Sequence, residues 1–167
     1  MEGSTRKKKI IKMIIEYGML IAVIFIIFHF VIGFSPVNGN SMYPTLKHGE
    51  ITFYTRMHRT YQRGDIVIVK RPNGKLYVKR VVAVAGDTVK IKNNGLYVND
   101  KKQPGDSLYA EKTQAMKGEV EYPLTIREGE YFVLGDNREN SEDSRVFGAV
   151  SKGDIKGKVL YHAGRLN

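Results

Sequence analysis

Leu76-Tyr77-Val78-Lys79-Arg80-Val81-Val82-Ala83-Val84-Ala85 is the stretch whose reading decides the fold class. Strict alternation puts Tyr77, Lys79, Val81, Ala83 and Ala85 on one face and Val78, Arg80, Val82 and Val84 on the other. Both faces are then mostly apolar, as in a strand covered on two sides. A lysine on such a strand loses its water. Burial disfavours the ammonium, and lowering an amine pKa from about 10.4 to about 8 costs roughly 3 kcal/mol, within what a folded domain can supply. Only a neutral amine accepts a proton, so Lys79 is a candidate base, unless an edge position lets it snorkel to solvent.

Outward from this segment the chain keeps the same grammar. Short runs rich in Val, Ile, Tyr and Phe alternate with Gly, Asn, Asp and Pro, and no helical periodicity of useful length appears after Phe34. Strands are predicted near Ile51 to Tyr54, Ile66 to Lys70, Leu76 to Ala85, Thr88 to Lys92, Leu96 to Asn99, Tyr131 to Leu134 and Ile155 to Tyr161. Arg63-Gly64-Asp65 and Pro72-Asn73-Gly74 bracket one of them, and Asn93-Asn94-Gly95 joins two others as a hairpin. The polar stretch from Lys101 to about Glu121 has weak strand signals and reads as an excursion, occupying with its flank about 101–128. The expected fold class is mainly β, with an antiparallel sheet.

Ahead of this domain, Tyr17 to Phe34 is almost wholly apolar and would span about 27 Å as a helix, close to the thickness of a bilayer's hydrocarbon. Arg6, Lys7, Lys8, Lys9 and Lys12 lie on its N-terminal side, so the positive-inside rule places residues 1–12 in the cytoplasm as a basic tail. The expected division is that tail, a transmembrane anchor over 13–34, and an extracytoplasmic domain over 35–167. Glu16 falls at the inner headgroup level and His29 near the outer one, where polar tips snorkel. Gly33-Phe34-Ser35 is a small-x-small triplet of the kind that ends a cleaved leader, but the apolar run is long for one and Pro36 follows directly, which favours an anchor that stays.

Composition sets the outer limits. The 167 residues leave about 130 for one modest domain beyond the anchor. With no cysteine, disulfide scaffolds, thiolate zinc sites and cysteine nucleophiles of the sortase kind are excluded. The net charge is +10, and its densest cluster flanks an apolar run, an orientation signal before it is a nucleic-acid signal.

Just past the anchor comes Ser41-Met42-Tyr43-Pro44-Thr45-Leu46. A serine hydroxyl is a weak nucleophile until a neighbouring base takes its proton, and a neutral lysine can replace histidine in that role. His48 and His58 sit in polar, turn-like surroundings and His162 in the tail, which reads as ordinary exposed histidine. No pair has metal-ligand spacing on a helix.

Four motifs in order carry a resemblance: Ser41 to Leu46; Arg63-Gly64-Asp65-Ile66-Val67-Ile68-Val69; Lys79-Arg80 followed by Gly86-Asp87; and Gly135-Asp136-Asn137-Arg138-Glu139-Asn140-Ser141-Glu142-Asp143-Ser144-Arg145. Together they resemble the ordered boxes of bacterial type I signal peptidases over most of the chain, and the single anchor is similar to the Gram-positive branch. The resemblance implies a Ser-Lys protease on an antiparallel β fold shared with LexA-type proteins, with Ser41 as nucleophile and Lys79 as general base. It implies that Ser141 hydrogen-bonds the lysine amine and that Asp143 and Arg145 form a supporting ion pair. Gly39 stands where some members place a serine that donates to the oxyanion, which leaves the Ser41 N–H as the donor. Val37, Met42, Leu46, Tyr77 and Val78 would wall shallow pockets for small residues, as in Ala-x-Ala leaders. No metal and no organic cofactor is implied. The implied partners are exported preproteins with signal peptides, membrane lipid and, as a candidate, the secretion translocon, with no nucleic acid.

Two competing readings are weaker. A self-cleaving LexA-type repressor shares the Ser-Lys chemistry but has no use for a membrane anchor. A membrane-tethered, non-enzymatic ectodomain binding anionic polymer is compatible with the net +7 after Phe34, where 22 basic residues face 15 acidic ones. Such a binder has no need of both Ser41 and Lys79.

Overall fold

The computed structural model describes residues 2–58, 60–103, 113–114 and 120–164. The chain begins with helix α1 (Glu2–Ile26), continues through a π-helical turn (Ile27–Val31) and passes directly into strand β1 (Ile32–Pro36). Arg6–Val31 is long and apolar enough to cross a membrane, with a mean hydropathy of 2.4 over its most apolar 18 residues and none of those residues buried against protein. The helical segment therefore stops at Val31, and Ile32, Gly33 and Phe34, expected at the end of the anchor, belong to the sheet. An apolar run suits a lipid-facing helix and a covered strand equally well, and here a strand partner decides: Ile32 to Pro36 pair residue by residue with Thr55 to Ile51. The Gly33-Phe34-Ser35 triplet lies inside that ladder, with Ser35 buried.

The other strands are β2 (Ile51–Thr55), β3 (Ile66–Lys70), β4 (Leu76–Ala83), β5 (Thr88–Lys92), β6 (Gly95–Val98), β7 (Lys101–Lys102), β8 (Leu124–Thr125), β9 (Glu130–Leu134), β10 (Val150–Ser151) and β11 (Ile155–Ala163). They form a seven-stranded sheet of order β1-β2-β11-β3-β4-β9-β10 and a four-stranded sheet of order β7-β6-β5-β8, every pairing antiparallel. All seven expected strands are present. The fold is mainly β with one apolar N-terminal helix, as the sequence predicts. Asn93 and Asn94 take positive φ at the β5–β6 turn, and Asn99 and Asp100 do the same between β6 and β7. The excursion expected around 101–128 falls partly outside the described residues; its described parts add β7 and β8 to the small sheet.

The decisive strand departs from strict alternation. Its pairing with β9 shifts register between Val81 and Ala83, so Val81 packs with Val67, Val69 and Val133 while Val82 and Ala83 join the core between the sheets, with Val89, Leu96 and Phe132. Ala85 lies beyond the strand and is exposed. A third cluster of Val37, Met42, Leu46, Tyr54, Ile68 and Val78 lies under the turn that carries Ser41.

Candidate active site

Ser41 sits in the loop between β1 and β2. Its turn is closed by the Tyr43 N–H donating to Asn40 O and the Leu46 N–H donating to Met42 O, and is fixed from below because Met42 and Leu46 are buried. Lys79 comes from β4, opposite Val67 of β3, and is 3% exposed. Its Nζ lies 2.7 Å from Ser41 Oγ, and that is its one hydrogen bond among the described residues. Burial lowers the Lys79 pKa to about 8; Asp143 and Glu142 pull it back upward, and Arg145 pushes it further down. A neutral amine at that distance can accept a proton from the serine hydroxyl.

The loop after β9 closes over the pair. Gly135 is the point of closest approach: a Cβ there would come within 2.2 Å of Ser141 Oγ and 2.4 Å of Ser41 O, so any side chain would drive the loop from the nucleophile. The Asn137 N–H donates to Ser41 O at 3.0 Å. Asp143, fully buried, accepts from Arg145 Nε and Nη2 at 2.8 and 2.9 Å and from the Gly135 N–H at 3.0 Å. Arg145 also donates to Arg138 O and Ser141 O, tying the loop into one body. Ser141 differs from the expectation drawn from the resemblance. Its hydroxyl is buried without a hydrogen-bond partner among the described residues, wedged against Gly135, while the lysine amine turns to Ser41 instead.

Of the expected pocket walls, Val37, Met42, Tyr77 and Val78 line a small cleft of about 160 Å³ with Pro36, Asn38, Ser41, Leu76, Lys79 and Glu142. Leu46 does not line it; with no exposed surface it belongs to the core below. Gly39 also lies off the cleft wall, at a φ of +95°, and its N–H donates to His48 Nδ1 at 3.0 Å. His48, exposed as the sequence predicts, thus holds the backbone two residues before Ser41.

Three site residues escaped the sequence reading. Asp136 accepts two hydrogen bonds from Arg80, at 2.8 and 2.6 Å, and one from Thr45 Oγ1 at 2.6 Å, clamping the serine turn to β4 and to the loop after β9. Glu142 Oε2 accepts from the Tyr77 hydroxyl at 3.1 Å at the cleft mouth. Thr45, Asp136 and Glu142 all stood inside quoted motifs, and their polarity in segments that must pack around a buried lysine was the available signal. Gly86-Asp87 is structural: burial raises the Asp87 pKa, but hydrogen bonds from Arg63, the Val84 N–H and Asn99 outweigh it and hold the carboxyl below its usual range.

A family model described as signal peptidase, peptidase S26, matches residues 10–162. A signal peptidase IB of Staphylococcus aureus (strain COL) is 35% identical over an alignment of 171 positions, covering 93% of this chain and 90% of that one. A signal peptidase I of Bacillus amyloliquefaciens is 40% identical over 147 positions, covering 82% of this chain and 76% of that one. Among solved structures, a signal peptidase I from Enterococcus faecalis V583 is 34% identical with a TM-score of 0.51, over 62% of this chain and 98% of that one. With a family match over almost its whole length, and with relatives this similar end to end, the chain belongs to the signal peptidase family, peptidase S26.

Proposed function

We propose that this protein is a membrane-bound endopeptidase that removes signal peptides from exported preproteins after small-x-small sites. The observation that carries this reading is the 2.7 Å contact between Ser41 Oγ and a Lys79 amine that burial brings to a pKa of about 8. As Oγ bonds to the scissile carbonyl carbon, its proton passes to Lys79 Nζ; the ammonium then gives that proton to the leaving amine as the C–N bond breaks. A water, deprotonated by the same lysine, attacks the acyl-enzyme ester and frees the leader's carboxylate and the serine hydroxyl. The Ser41 N–H is the donor for the oxyanion, and Gly39 adds no hydroxyl to it.

Strand pairing supports an extended substrate. β9 pairs with β4 from Arg80 onward, which leaves the cleft-side edge of Leu76 to Lys79 without a strand neighbour among the described residues, while Pro36, Val37 and Asn38 also line the cleft. A leader lying along that edge gains main-chain hydrogen bonds and delivers its carbonyl to Ser41. Asp143 and Arg145 act in this reading as positioning residues that hold Gly135 against the nucleophile. The basic flank of α1 supports, by the positive-inside rule, a cytoplasmic N-terminus and a catalytic domain outside, with one membrane pass. Preproteins and lipid are then its direct partners and the secretion translocon a neighbour.

The test is mass analysis of a preprotein with an Ala-x-Ala leader, incubated in detergent with wild type, Ser41→Ala and Lys79→Ala. Cleavage directly after the second alanine by wild type alone is the expected result. Cleavage that survives in either variant would point to another nucleophile, and none by folded wild type would favour the non-enzymatic ectodomain.

A further inference from the structure

The passage from anchor to sheet contains no linker. The Ile32 N–H closes the π-helical turn onto Ile27 O, and Ile32 is already paired with Thr55. The ladder runs one step further back, because the Arg56 N–H donates to Val31 O at 2.9 Å. The same residue's guanidinium Nη1 donates to Phe28 O, His29 O and Ile32 O at 3.0, 2.6 and 3.0 Å. Carbonyls at a helix C-terminus lack intrahelical donors and carry the negative end of the macrodipole, and at the edge of a bilayer water serves them poorly. One cation from the catalytic sheet satisfies them.

This contact continues towards the nucleophile. The Arg56 guanidinium stands 5.5 Å above the Tyr54 ring, and that ring crosses Gly33 so closely that a Cβ there would lie 2.2 Å from it. Tyr54 in turn packs in the buried cluster with Val37, Met42 and Leu46, on either side of Ser41. A chain of packed or bonded groups thus runs from the last carbonyls of the anchor to the serine turn. β1, five residues long, spans only about 16 Å between them.

We propose that Arg56 is a positioning residue that locks the catalytic sheet to the membrane anchor through Gly33 and Tyr54, so that Ser41 stands at a fixed height above the bilayer. The consequence is that Arg56 sets how strictly the height of Ser41 is held. How much variation the protein tolerates in the distance between a substrate's apolar segment and its small-x-small site then depends on this one side chain. This rests on the proteolytic reading above and adds to it a residue outside the cleft that governs which sites are cut.

The test uses the full chain in lipid vesicles with a series of preproteins whose Ala-x-Ala site lies from about three to about nine residues past the apolar segment, roughly 10 to 30 Å of extended chain. A soluble peptide carrying the same site serves as control. Wild type is expected to cut a narrow band of spacings. Arg56→Met should broaden that band and slow cleavage at its centre about tenfold, with Arg56→Lys in between and all three equal on the soluble peptide. Inserting Gly-Ser between Val31 and Ile32 breaks the joint without removing a side chain, and should also move or broaden the band. A wild-type band as broad as the whole series overturns the inference. So does a band unchanged in both Arg56→Met and the insertion, or an equal loss on peptide and membrane substrates in both. Failure of wild type to cut the peptide overturns the proteolytic reading instead.

Discussion

Arg145 and Lys79 are both buried cations of the candidate site, 1% and 3% exposed, yet their surroundings make opposite use of burial. Arg145 is met by both oxygens of Asp143 and by backbone carbonyls, so its charge is matched and held. Lys79 has no carboxylate at ion-pair distance among the described residues; it touches Ser41 Oγ and stands 5.4 Å from the Tyr77 ring. Burial alone therefore does not make a base. A buried ammonium yields its proton when its partners are neutral, while a guanidinium with a bidentate carboxylate is a structural bolt.

The sharpest way to break this contrast is to exchange the chemistry. Lys79→Arg keeps the charge but cannot give up a proton, so cleavage of an Ala-x-Ala preprotein is expected to fall by about 10⁴-fold or more; substantial activity would mean that Lys79 is not the base. Next in size is the bolt. Arg145→Met strands a fully buried Asp143 and should lower stability to denaturant by about 3 to 5 kcal/mol, whereas Asp143→Asn together with Arg145→Met should cost less than the two single changes summed. Additive losses would show that the pair is not coupled.

The third prediction carries the opposite sign. Lys79 has a folded pKa of about 8 against 10.5 for the free side chain, so below pH 8 both states are protonated and the fold bears the whole cost of a buried ammonium. Between those values the folded amine is already neutral while the unfolded one still holds its proton, so stability rises with pH until both are neutral. Lys79→Met should thus be inactive yet more stable than wild type by about 3 kcal/mol at neutral pH, with the gain fading towards pH 10.5 in urea titrations. A variant less stable than wild type at pH 7 would refute the desolvation argument. The smallest expected effect is at Glu142, whose charge favours the ammonium form of Lys79. Glu142→Gln should move the rising limb of the kcat/KM profile, centred near pH 8 in wild type, to slightly lower pH; a shift upward would contradict the geometry.

Much of this was legible in the chain because local patterns carry it. Alternating apolar residues, Asn-Gly turns and a long apolar run each act within a few residues, so the strands, the β5–β6 hairpin and the apolar N-terminal helix could be read directly. The anchor's end could not, because Ile32, Gly33 and Phe34 are as apolar as a helix in lipid and only pairing with β2 makes them a strand. Ser41 and Lys79 stood out by residue type and motif, but Leu46 was misplaced in the cleft wall because exposure depends on what packs above and below a side chain. Ser141 was misread for the same kind of reason: a hydroxyl's partner is set by the last ångström of backbone placement, here the approach of Gly135.

What the sequence determined by itself was the mainly β class, the apolar N-terminal helix, and Ser41 and Lys79 as the candidate pair, since periodicity, hydropathy and side-chain chemistry are properties of the chain. The tertiary structure alone decided that those two atoms meet at 2.7 Å, that Asp136 ties Thr45 to Arg80, and that Arg56 grips the end of the anchor. Each of these contacts joins residues 24 to 91 positions apart. At such separations the meeting is set by sheet order and register, which arise from the packing of the whole domain.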